Sequence, residues 1–205
     1  MTAATTVVAE IEIPISERGP SPRKVIVGYG FWLFLLSDII VFSALFAAYA
    51  VLSGRTAGGP SGVQLFHRDN VLIETGCLLL SSFTCAMMSL AIEVRRRGLM
   101  VAGAVLTLAL GAAFLWLELT EFAGMIAHGA GPSRSAFLSA FFALVGMHGL
   151  HVSIGLCWLV SMVAQVFTLG WRPMVVDRLA CFGLFWHALD IVWIGVFTIV
   201  YLGAR

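Results

Sequence analysis

The stretch AFFALVGMHGLHVSIGLCWLVSM, Ala140–Met162, decides the fold, because it places two imidazoles inside an otherwise apolar run. A run of that length crosses the roughly 30 Å hydrocarbon core of a bilayer when wound as an α-helix. On such a helix His148 and His151, at i and i+3, share one face. A charged side chain at bilayer depth costs about 2.5 kcal/mol or more, so both rings are predicted to be neutral, turned toward other helices and hydrogen-bonded there.

The rest of the chain repeats the pattern. Of its 205 residues 60% are hydrophobic and 11% charged, against about 25% charged in an average soluble domain. The apolar residues fall in blocks long enough to span a membrane, so the class is an all-α, polytopic membrane protein with a five-transmembrane-helix bundle. Helices are predicted at about 28–52, 70–92, 99–122, 136–168 and 179–202, forming one transmembrane domain over 28–205. Helix 4 is too long to lie wholly in lipid, and its cytoplasmic end is expected to project. Residues 1–27 lack the apolar core and cleavage site of a signal peptide and read as a retained tail. The glycines and Pro60 of GRTAGGPSG mark an exposed loop, HGAGPSRS is a turn, GWRPMVVDR is a connection, and the short EVRRRG makes helices 2 and 3 antiparallel neighbours.

A net charge of +1 with no basic block interleaved with aromatics leaves no footprint for nucleic acid. Cys77, Cys85, Cys157 and Cys181 all lie in apolar runs without a C-x-x-C pair, so they are read as small buried packing residues rather than disulfide or zinc ligands. If the N-terminus is cytoplasmic, Arg18, Arg23, Lys24, Arg95, Arg96, Arg97, Arg172 and Arg178 lie inside and Arg55, Arg68, Arg134 and Arg205 outside. That bias predicts a cytoplasmic N-terminus and a periplasmic C-terminus. No internal repeat or broken-helix pair points to a transporter.

Three polar clusters remain to be explained. Asp38 is expected to be a buried carboxyl near the middle of helix 1, and His187 and Asp190 in LFWHALDIVW come to similar depth on helix 5. With His148 and His151 they can form one buried network that ties helices 1, 4 and 5 together, helix 5 offering a donor and an acceptor to the helix 4 imidazoles. Metal or haem ligation and a proton relay are the competing readings of the same residues. The second cluster is Glu74, Glu118 and Glu121. Antiparallel pairing about Arg96 puts Glu74 and Glu118 at one depth near the outer face, where two ionised carboxylates would repel each other, and a hydrogen bond across the hairpin competes with a relay role. The third cluster, Arg95, Arg96, Arg97, Arg172 and Arg178, sets topology and can attract anionic lipid head groups. Trp186 and Trp193, seven apart beside His187 and Asp190, are read as packing residues with an indole donor to place rather than as a quinone-stacking platform.

At these residues the chain resembles a known family, subunit III of the haem-copper respiratory oxidases, most closely that of the cytochrome bo-type (cytochrome o) ubiquinol oxidase. GFWLFLLSD (Gly30–Asp38), ELTEF (Glu118–Phe122), AFFALVGMHGLHV (Ala140–Val152) and FWHALDIVWIGVFTIVYL (Phe185–Leu202) carry the resemblance, which spans helices 1 to 5. It implies a subunit with no catalytic, cofactor-binding or metal-ligating residue of its own, packed beside the catalytic subunit I of a proton-pumping quinol:oxygen oxidoreductase in the bacterial inner membrane. Haem and copper would reside in that subunit, ubiquinol would be the substrate of the complex, and subunit II and a small subunit IV would complete it. The family's early acidic residue falls on Asp38, and its other matched polar positions are Glu121, His148, His151, His187 and Asp190. The implied role is support: stabilising the oxidase core, binding phospholipid and sustaining proton uptake at the inner face. Longer relatives carry two further N-terminal helices around a lipid-holding cleft, which this sequence lacks. The runner-up is subunit III of a cytochrome c oxidase; a free-standing haem or quinone enzyme and a transporter are readings from other classes.

Overall fold

Apolar runs free of internal proline wind into uninterrupted helices, since within a bilayer each backbone N–H and C=O has to be satisfied inside its own segment. A computed structural model describes residues 23–58 and 68–203 of the chain, without the side chains of Lys24 and Arg68. The tail over 1–22 with Arg18, the loop stretch 59–67 with Pro60, and Arg205 lie outside the described residues. Within them the protein is all-helical: α1 Arg23–Leu52, α2 Arg68–Glu93, α3 Arg97–Ala127, α4 Ala136–Leu169 and α5 Pro173–Val196, the last continued by a π-helical turn, Phe197–Leu202. Five spans among the described residues are long and apolar enough to cross a membrane.

The helix ends show which local signals govern. Ser135 caps α4 by accepting a hydrogen bond from the Leu138 amide at 3.2 Å. Gly129, at φ 74°, closes α3 with the Ala130 amide bonded back to the Met125 carbonyl. In the α2–α3 turn the left-handed position falls not on Gly98 but on Arg95, φ 53°, at a cost of roughly 1–2 kcal/mol for an L side chain. α5 begins well before its expected start near residue 179. Pro173 was read as part of a connection, yet it occupies the first helical turn, where its fixed φ suits the helix and its missing N–H is no loss.

α2 and α3 form the tightest pair. Gly103 brings α3 so close that a Cβ there would sit 3.0 Å from the Met88 Cβ of α2, and the Thr84 and Thr107 hydroxyls bond across the hairpin at 2.8 Å. α5 packs against α2, α4 and α1, and α4 against α3 and α1, so these two helices form the middle of the bundle. α1 leans on α4 and α5 from one side, with only 11% of its apolar window buried against 50% for α2 and α5. Two glycines admit Trp186 to this centre: a Cβ at Gly155 of α4 would meet its ring at 2.9 Å and one at Gly111 of α3 at 3.1 Å.

Candidate functional site

At mid-span the polar residues meet in three separate sets instead of one network. Asp38 on α1 faces His151 on α4, Oδ2 to Nε2 3.6 Å, longer than a hydrogen bond. The other ring nitrogen of His151, Nδ1, donates to the Met147 carbonyl one turn back at 2.8 Å. Asp38 is half-exposed, its side chain 22% accessible, because α1 covers α4 and α5 from one side only. The expectation of a buried carboxyl is corrected accordingly.

His148 looks elsewhere although it is only one helical turn away. It is wholly buried, its Nε2 donates to the Leu189 carbonyl of α5 at 3.2 Å, and its Nδ1 has no partner among the described residues. Phe114 meets it edge-on at 5.6 Å and Trp193 lies tilted against it at 5.0 Å. His187 and Asp190 form the third set. They do not reach the α4 imidazoles, as the i, i+3 spacing had suggested; the Ser82 hydroxyl of α2 bonds His187 Nδ1 at 2.9 Å, and Oδ1 of Asp190 has no hydrogen-bond partner among the described residues. The residues that the sequence reading missed are the small polar ones of α2. Ser81 accepts the Trp186 indole N–H at 3.0 Å, and Thr75 accepts that of Trp193 at 3.1 Å. The run SSFT, Ser81–Thr84, was the available signal, because small hydroxyl residues in a membrane helix mark the face that meets other helices. Both indole donors are thus placed, in keeping with a packing role for these tryptophans.

The acidic cluster is sealed. Glu74 on α2 is 0% and Glu118 on α3 2% exposed, and with the half-buried Glu121 they lie within electrostatic reach of one another and of Tyr201. No hydrogen bond crosses the hairpin between them: both oxygens of Glu74, Oε2 of Glu118 and Oε1 of Glu121 lack a partner among the described residues. That role falls to the threonine pair instead. Gly149 makes room for Glu118, whose Oε1 would lie 2.7 Å from any Cβ there.

Arg95, Arg96, Arg97, Arg172 and Arg178 gather at one end of the bundle. The Arg97 guanidinium approaches Gly170 in the α4–α5 turn, and Arg178 Nη1 donates to Gln165 Oε1 at 2.9 Å. Of the cysteines, Cys85 and Cys181 are buried and Cys77 half-buried, but Cys157 is exposed on the outer surface of α4. In a span that is apolar all round, hydropathy does not separate the face turned to lipid from the face turned inward.

No three His, Cys, Asp or Glu side chains among the described residues converge as a metal site.

Residues 19–204 match the family model described as cytochrome c oxidase subunit III. The cytochrome bo(3) ubiquinol oxidase subunit 3 of Pseudomonas aeruginosa is 52% identical over 174 residues, spanning 85% of this chain and 83% of that protein. Its namesake from Pseudomonas putida is 50% identical over 173 residues, 84% of each chain. The quinol oxidase subunit 3 of Bacillus subtilis is 44% identical over 176 residues, 84% of this chain and 85% of the relative.

Proposed function

The chain belongs to the cytochrome c oxidase subunit III family, and we propose that it serves as the third, non-redox subunit of a proton-pumping cytochrome o ubiquinol oxidase in a bacterial inner membrane. The observation that carries this reading is the identity of about half of all aligned residues with proteins named as subunit 3 of such oxidases. Haem and copper then reside in the catalytic subunit I, where quinol is oxidised and oxygen reduced, and subunit II and a small subunit IV complete the assembly. The N-terminus is cytoplasmic and the C-terminus periplasmic, which sets the arginine end of the bundle against the anionic inner leaflet, where Arg95, Arg96, Arg97, Arg172 and Arg178 hold phospholipid head groups. The chain stabilises the oxidase core and sustains proton uptake at that inner face by keeping the core assembled.

Purification of the chain from gently solubilised membranes tests this. It is expected to bring down a haem- and copper-containing catalytic subunit, while the separated chain carries neither in stoichiometric amount. One haem or copper per separated chain would overturn the reading. The family description itself favours one alternative, subunit III of a cytochrome c oxidase, and a copper-binding soluble domain on the co-purified subunit II would decide for it.

A further inference from the structure

The outward stripe of α5, Leu184, Ile191 and Ile194, is 37%, 74% and 40% exposed. One flank is the shallow groove between α1 and α5, where Asp38 sits beside Ala188 and Val192. On the other flank is α2, whose Ser82 bonds His187, and Oδ1 of the neighbouring Asp190 has no partner among the described residues. Asp38, Ser82 and His187 each fall near the middle of their spans, Val25–Leu52, Asp69–Glu93 and Pro173–Leu202. Three helices therefore bring polar groups to one depth on either side of a single apolar stripe, and Asp38, His187 and Asp190 are only half-buried there.

Acyl chains offer such groups no hydrogen bond, so a half-exposed carboxylate or imidazole at bilayer depth turns toward protein. The rest of the surface makes no such demand. Among the described residues α3 carries no exposed or half-buried carboxylate or imidazole at mid-span, and the one on α4, His151, lies 3.6 Å from Asp38 and so belongs to the same flank.

We infer that the α5 stripe, flanked by Asp38 on one side and by Ser82, His187 and Asp190 on the other, is the docking face for a transmembrane helix of the catalytic subunit that carries a hydrogen-bonding side chain at mid-depth. The inference rests on the oxidase role proposed above. α5 is braced by α1, α2 and α4, so a helix laid along it meets a rigid surface, and small or polar residues at the crossing are the usual adhesive between membrane helices.

Photo-crosslinking in native membranes containing the whole oxidase tests it. Ile191 or, on the outward face of α3, Leu106 is replaced by benzoylphenylalanine; both positions are exposed. The probe at 191 is expected to join the catalytic subunit at least tenfold more than the probe at 106. A stronger crosslink from 106, or capture at 191 of only lipid or a second copy of this chain, overturns the assignment of the face while leaving the oxidase role intact. A chain that co-purifies with no oxidase at all defeats that role instead. Adding Asp38→Leu with Ser82→Ala is expected to lower the crosslinked fraction of inserted chain about fivefold, and an unchanged fraction would show that the polar flanks play no part.

Discussion

The mid-membrane polar groups and the acidic cluster near the start of α2 reverse the usual relation between burial and bonding. At mid-span half-exposed groups face neighbouring helices: His187 bonds Ser82, and Asp38 lies 3.6 Å from His151. In the cluster Glu74 is fully buried, and both of its oxygens lack a partner among the described residues. Buried polar atoms ordinarily find partners, because leaving one unpaired costs about 1–3 kcal/mol. The difference teaches that bonds between helices run through the first region, at Ser82–His187 and His148–Leu189, whereas Glu74 in the second is enclosed by packing. Trp193 touches both, with its ring against His148 and its N–H on Thr75, the neighbour of Glu74.

The sharpest way to break the contrast is to remove that shared element. Trp193→Ala empties a site that is 0% exposed and is expected to cost about 3–5 kcal/mol, read as a lower thermal midpoint of the purified complex; a change under about 1 kcal/mol would mean that the two regions are independent. Gly149→Ala attacks the cluster alone. Its new Cβ would meet Glu118 Oε1 at 2.7 Å, and the forced shift is expected to cost about 1–3 kcal/mol, visible as loss of this chain from detergent-extracted oxidase.

Ser82→Ala attacks the other region by removing the hydroxyl that bonds His187. Hydrogen bonds between membrane helices average about 0.6 kcal/mol with a maximum near 1.7, so a modest loss of subunit retention is expected, with the proton-to-electron ratio of the retained complex unchanged. Full retention with an impaired ratio would favour the relay reading of these residues. Glu74→Gln should have the smallest effect, within about 0.5 kcal/mol, since the amide keeps the shape and no partner is lost. A loss above about 1 kcal/mol would show that the Glu74 carboxyl makes a bond essential to the bundle.

How far the sequence could be read differs between these regions for a physical reason. Asp38, His148, His151, His187 and Asp190 stood out because an ionisable side chain in an apolar run is costly. Their depth also followed from counting along helices of fixed rise. Their pairing did not follow. A shared helix face at i, i+3 limits where a side chain points only to within the width of that face, and which neighbour stands there depends on helix rotation. His148 and His151 share a face and still turn to different helices, one bonding the Leu189 carbonyl and the other lying 3.6 Å from Asp38. The partners on α2 escaped notice because serine and threonine are cheap enough in a membrane to leave no mark on hydropathy.

By itself the sequence determined that the chain is a five-helix membrane bundle, that α2 and α3 pair through a short basic turn, and, through its motifs, the family to which it belongs. These follow from quantities local to the chain: apolar run length against bilayer thickness, the reach of a short loop, and side-chain chemistry at fixed spacing. Only the tertiary structure decided that α4 and α5 form the middle, that α1 stands to one side, and that the polar residues divide into separate sets. Those outcomes depend on how close two backbones come where glycine removes a Cβ, at Gly103, Gly111, Gly149 and Gly155, and a distance between helices is a property of the pair that neither segment carries alone.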